Sequence, residues 1–358
     1  MIAEAWRDIR ALRAQPTGLA AADPDRAAWF KAALRQAEDL AVAADATDYA
    51  TSPLTLFYAV EQAGQAIVQA RKLDVSEAAT SHGLSLQPPL AGLLTSLMCP
   101  PRPRQGARPG KPGGFQDVCA TIGSPSLAVC TELGALWAAN PDLADVAIPA
   151  TLGSWARPLE GRLGSRWLLP RHDGSVRDPA TELTTTGGDA TVQIDVPGGT
   201  AAEVLQVLAG YPSLAGARPL KMGPGGNRFA NGSDMVLRNT DISPWSPLAY
   251  VGVPAPHAIA LHDYWRLLDG LFSVTEERNG EVHGIALPAV GGHPAPVPLM
   301  LWWALLLGLS SLVRYYPTAW TRAIDLDTSV LAAPLREVID LAKVQIPERL
   351  LSALTDVS

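Results

Sequence analysis

The sequence predicts an α+β protein, mainly α-helical. N- and C-terminal helices pack around one buried C-terminal helix, and a small antiparallel or mixed β-sheet is inserted between them. Three observations carry this expectation. Residues 297–320, VPLMLWWALLLGLSSLVRYYPTAW, form an almost uncharged apolar run ending in Arg314, Tyr315, Tyr316, Pro317 and Trp320, and a helix that is apolar all round belongs inside a core. The first hundred and the last sixty residues carry apolar positions at helical spacing, whereas the stretch between them alternates with period two. The expected organisation is therefore a helical region over 1–165, a small β-rich insertion over 166–296, and C-terminal helices over 297–358 that pack on the N-terminal region.

In chain order, MIAEAWRDIRALRAQ reads as a short amphipathic helix without the apolar stretch of a signal peptide. Asp23-Pro24 places an N-cap before a proline at the first helical position, and Phe30, Leu34, Ala37 and Ala41 follow on one face. Ser52-Pro53 repeats that start, with Leu56, Val60, Ala63 and Ile67 as the apolar stripe. A shorter helix is expected at 89–98 and another at 126–139, the latter stopped by Asn140-Pro141. Strands are expected at 166–172, 190–196, 234–238 and 248–253, with a helix at 201–210. A hairpin is expected over 271–287, turned at Asn279-Gly280, a dipeptide that accepts positive φ. After the apolar helix, Pro334–Ala342 and Pro347–Leu354 read as two separate helices.

Composition narrows the classes. With 47% apolar and 18% charged residues the chain is globular. A formal charge of −7 argues against a surface that is basic throughout, as a general nucleic-acid binder requires. The three cysteines, Cys99, Cys119 and Cys130, make no C-x-x-C pair. They suit a reducing, cytoplasmic setting, and no metal or cofactor is expected. The run 297–313 sits at the lower length limit for a membrane span, about 17 residues. The expected reading is a buried core helix, with no membrane.

The loop 100–114, PPRPRQGARPGKPGG, has no apolar residue to bury and presents Arg102, Arg104, Arg108 and Lys111 without acidic neighbours. Two readings compete: a solvated linker, or a flexible arm for an anionic partner such as RNA or DNA. Arg166 with His172, and Arg278 with His283, match the loose Arg-x(4–6)-His spacing of many HEPN-fold ribonucleases, in which arginine steadies phosphate and histidine moves a proton. Neither pair sits on one helix face, as that chemistry requires. His257, His262 and Asp263 are too irregularly spaced to share a metal. The glycine-rich 223–227 lacks the ending of a phosphate loop, and no G-x-S-x-G surrounds Ser124 or Ser233. Arg314, leaving a buried helix, needs either a structural acid, Asp325 or Asp327, or an anionic ligand.

ATSPLTLFYAVEQAGQAIVQA (50–70), SHGL (81–84), GGFQDV (113–118) and LLLGLSSLVRYYPTAW (305–320) resemble the YaaC-like family of bacterial proteins. Their order implies that the resemblance extends over most of the chain, least clearly over the β region. It implies a soluble bacterial protein with His82 and Arg314 inside family motifs, and it supplies no activity. The N-terminal helical pair also loosely resembles HEPN-type domains. The leading expectation is a non-catalytic binding or regulatory protein of a defence or stress system that meets a protein partner or a second copy of itself through Arg314, Tyr315, Trp320 and the basic loop. The alternative is a metal-independent HEPN-like ribonuclease or nucleotide-processing enzyme using His82 and Arg314.

Overall fold

A computed structural model describes residues 2–72, 81–87, 92–101, 113–164, 183–185, 189–196, 201–220, 248–254, 258–260, 272, 274–278 and 281–355. The chain divides into two units, one of Met1–Ala156 with Ala295–Ser358 and the other of Arg157–Pro294.

The first unit is helical. It contains α1 (Ile2–Ala14), α2 (Leu19–Ala22), α3 (Pro24–Asp45), α4 (Ser52–Arg71), α5 (Gly114–Thr121) and α6 (Leu133–Ala139). The short strands β1 (Ser85–Leu86), β2 (Leu97–Cys99) and β3 (Thr131–Glu132) pair antiparallel in the order β1-β2-β3. At the start of α3 the Asp23 carboxylate accepts from the amides of Asp25 and Arg26, satisfying donors that the first turn leaves open. α4 begins one residue earlier than the Ser-Pro signal implies. Ser52 is its first helical residue, and its hydroxyl donates at 2.7 Å to Ala44 O, closing the α3–α4 hairpin instead of capping.

The second unit carries β4 (Leu159–Gly164), β5 (Leu183–Thr185), β6 (Asp189–Asp195), α7 (Ala201–Leu208), β7 (Arg218–Leu220), β8 (Leu248–Pro254), β9 (Ala258–Ala260), β10 (Val274–Arg278) and β11 (Glu281–Ala286). Six strands form an antiparallel sheet in the order β10-β11-β4-β6-β8-β7, and β5 pairs with β9. Arg278 faces Glu281 in the β10–β11 register, which leaves two residues for the turn; the Asn279-Gly280 turn itself lies outside the described residues. β4 falls inside the 1–165 region expected to be helical. It hydrogen-bonds to β11 and β6 and so lies in the second unit. The strands expected at 166–172 and 234–238 lie outside the described residues.

The chain returns to the first unit through α8 (Pro298–Tyr315), α9 (Pro317–Ala323) and α10 (Ala332–Thr355). α8 is buried from Pro298 through Leu312, and Phe57, Gly64 and Met98 from the first hundred residues pack against it. Trp303 packs edge-on to Phe57 at 6.3 Å and to Phe115 at 6.4 Å, against a notch in α4 made by Gly64. Gly308 makes a second notch, filled by Leu133 and Met98. Each fully buried large apolar side chain contributes about 1.5–3 kcal/mol, so α8 is where the unit is held together. By length and composition α8 could cross a membrane; 83% of it is buried inside the protein.

Four expectations fail. The helix expected at 89–98 is absent where described: Leu97–Cys99 is the central strand of the small sheet. The helix expected at 126–139 begins only at Leu133, because Leu133 N and Gly134 N bond to Ser96 O and Leu94 O and lay the preceding segment across β2. Pro347 was expected to start a new helix. It lies inside α10, whose buried residues Leu335, Val338, Ile339, Ala342, Ile346, Leu350 and Leu354 continue one face through it. That burial outweighs the roughly 3 kcal/mol an interior proline costs. Cys99 and Cys130, expected as free thiols, are joined in a disulfide. Cys119 is free and buried, and that burial pushes its thiol up to about 12.

Candidate functional site

α4 carries one charged residue between Ser52 and Ala70, Glu61; its other charge is Arg71 in the last turn. Its carboxylate meets His82 Nδ1 at 2.5 Å. The imidazole is also packed at its edges by Phe57 at 5.1 Å and Tyr58 at 6.2 Å, so three residues of one helix face hold the ring. Both partners remain partly open, with 35% of the histidine side chain and 16% of the glutamate side chain exposed.

The turn that delivers His82 is built by close backbone approach. Gly83 has φ +82°, a conformation that suits glycine. A Cβ at Gly113 would come within 2.5 Å of Gly83 N and 2.9 Å of Ser81 Oγ, so only glycine fits there. The start of α5 then binds the turn. Gly114 N donates to Ser81 O at 2.8 Å, Phe115 N to His82 O at 3.1 Å, and Gln116 Nε2 to Gly83 O at 2.6 Å. Asp117, buried on the same helix, takes Lys72 Nζ at 2.5 Å from the end of α4. An open pocket of about 480 Å³ lies over this turn, lined by Glu61, Pro101 and residues 81–85.

Arg314 emerges from the last turn of α8 on another side of Tyr58, donating from Nη1 to the tyrosine hydroxyl at 3.4 Å. Its Cζ stands 5.1 Å from the ring of Tyr315, which is 67% exposed. The four sequence stretches singled out above, separated by up to some 250 residues, thus meet around Phe57, Tyr58 and Glu61 of α4. Residues 270–354 match the YaaC-like protein family. That match contains Arg314, Tyr315 and Trp320, and it supports the resemblance over the C-terminal stretch. The YaaC-like stretch packs on α4 through Trp303; the other three stretches lie outside the matched residues. No curated protein matches the chain, and no solved structure does.

Chemically, a carboxylate at Nδ1 selects one tautomer of the neutral imidazole. Nδ1–H donates to Glu61 and the Nε2 lone pair points elsewhere; protonation makes both nitrogens donors. Among the described residues Nε2 has no hydrogen-bond partner. The pair can therefore accept or donate one hydrogen bond to something entering the pocket. Among the described residues no group of three or more His, Cys, Asp and Glu could hold a metal ion.

The other expected residues divide clearly. Trp320 is buried and its Nε1 donates to Ala50 O at 3.0 Å, so it anchors the α3–α4 turn and offers no recognition surface. The acids expected to pair with Arg314 do not. Asp325 instead accepts from Thr328 Oγ1 and Asp327 N, bonds that hold its carboxyl below the usual range, and among the described residues no carboxylate reaches Arg314. His283 bonds Glu160 through Nδ1 at 2.8 Å on neighbouring strands. Arg102, Arg104, Arg108 and Lys111 lie outside the described residues, as do Arg166, His172, His257, His262, Asp263 and residues 223–227. Sequence reasoning passed over Glu61 and Tyr58; the signal for Glu61 was a lone carboxylate among the apolar and uncharged residues of α4 before Arg71.

Proposed function

We propose that this is a binding or regulatory protein with no chemical step of its own, and that it engages a protein partner at the pocket over the Ser81–Ser85 turn. One observation supports this best: α4 and the start of α5 together hold the partly exposed Ser81–Ser85 turn, with Glu61 fixing the His82 ring. A preorganised turn that presents one hydrogen-bonding group costs little entropy on binding. A bacterial setting belongs to this reading, as does contact of the 100–114 loop with nucleic acid; the Cys99–Cys130 disulfide removes the cysteine argument for a reducing, cytoplasmic compartment.

Affinity capture from host extract tests it, comparing wild type with Glu61→Gln and His82→Ala. The reading expects a reproducible partner whose recovery falls at least tenfold with His82→Ala while the melting temperature stays within a few degrees. Equal recovery by folded variants would overturn it.

A second reading rests on the same pair. A carboxylate-oriented imidazole is the arrangement of a general base, so metal-independent cleavage of RNA or a nucleotide is the enzymatic alternative. Incubation with total RNA separates the two. Cleavage by wild type that His82→Ala abolishes supports the enzyme.

A further inference from the structure

Among the partly buried arginines described in the first unit, Arg314 is the one that reaches neither a carboxylate nor a backbone carbonyl; Arg336, which also keeps a buried Nε without an acceptor, donates to Ile324 O. Arg26 donates to Gln69 O and Lys72 O, Arg13 to Glu38, Arg71 to Ala353 O, and Arg349 to Asp142. Among the described residues Arg314 has only the long contact to the Tyr58 hydroxyl and the face of Tyr315, and its Nε, sealed from solvent, meets no acceptor. The helix C-terminus favours a cation there, yet Leu312 O is already taken by Tyr316 N. A partly desolvated guanidinium in this state is costly to keep unless an anion completes it.

The donor geometry says what that anion is. The Tyr58 hydroxyl accepts from Nη1, so its own hydrogen is left to donate outward. With Nε sealed, the end-on edge, the fork formed by Nη1 and Nη2, is the part of the guanidinium that can meet two oxygens of one group. We propose that Arg314 and Tyr58 form an oxyanion site that takes a carboxylate or phosphate group of a ligand or partner. The site goes beyond the binding reading above and does not depend on His82.

Thermal unfolding of the full chain tests it with inorganic phosphate, with acetate, and with chloride at matched ionic strength. One of the two oxyanions is expected to raise the melting temperature by about 2–3 °C at ten times its Kd, relative to chloride. Which of them does so identifies the source. Arg314→Met is expected to lose that response and, without ligand, to melt above wild type, since a costly charge has gone. Arg314→Lys keeps the charge without the fork and is expected to bind at least tenfold more weakly, and Tyr58→Phe to weaken binding by a smaller factor. The proposal is overturned if neither oxyanion shifts wild type, or if Arg314→Lys responds as wild type does. A ligand-free Arg314→Met that melts below wild type also overturns it, because that marks a structural arginine.

Discussion

Gly64→Ala probes the packing of α8 at its tightest point. A Cβ at Gly64 would lie 2.8 Å from Val118 Cγ2 and 3.1 Å from Trp303 Cη2, and closer still to Cζ3 of the same ring. The indole cannot swing away, because Phe57 and Phe115 hold its edges. Alanine in a helix interior gains about 1 kcal/mol over glycine. Overpacking a rigid core costs about 1–3 kcal/mol, and an overlap with two separate side chains belongs at the upper end. The expected net is a destabilisation of roughly 1–2 kcal/mol, the opposite sign to helix propensity alone. Trp303→Phe, which removes the ring edge that clashes, should itself cost about 2 kcal/mol through the cavity it leaves. Combined, the two should be less harmful than their sum by about 1–2 kcal/mol. Urea unfolding followed by far-ultraviolet circular dichroism measures all four corners of that cycle. Strict additivity, or a Gly64→Ala variant more stable than wild type, would refute the packing.

Three further outcomes are expected. Cys99–Cys130 closes a loop of 31 residues, so its reduction or a Cys130→Ser change should cost about 3–4 kcal/mol. Peptide mapping without reductant should find that link, with Cys119 labelled only after denaturation. Asp142 holds Arg349 and accepts from Trp302 Nε1 at 2.8 Å with its own side chain nearly buried. Asp142→Ala should therefore cost about 2–3 kcal/mol by urea unfolding; a loss under 0.5 kcal/mol would contradict the network. Burial raises Cys119 from 9.0, and Tyr211 from 10.0, to about 12 in each case. Raised folded values give stability that is complete below the unfolded values and lost as pH climbs from about 9 towards 12. Melting temperatures should fall across that window, and Cys119→Ala should flatten its lower part; a flat profile in wild type contradicts the burial.

Sequence and structure agree where one local force dominates. Asp23-Pro24 starts a helix because capping is local, and the uncharged 298–312 run is buried because nothing but a core accommodates it. Agreement ends where distant contacts decide. Leu97–Cys99 carries too short an apolar run to reveal that Ser85 and Thr131 flank it as strands. Pro347 breaks a helix on propensity and continues one here because both flanking halves bury the same face. His82 and Arg314 stood out from their motifs. The lone carboxylate Glu61 is visible in the sequence, but its pairing with His82, and that of Tyr58 with Arg314, emerges only when α4, the Ser81–Ser85 turn and α8 are seen together. Trp320 misled for the opposite reason: an aromatic after a helix end reads as surface until its indole is found bonded to Ala50 O.

Hydrogen exchange on the protein alone and on its captured complex tests the central claim most directly. The account predicts slowed exchange confined to residues 81–87 and the adjoining 113–116, and no slowing when His82→Ala is used. Slowed exchange elsewhere on the surface, with the Ser81–Ser85 turn unchanged, would contradict it.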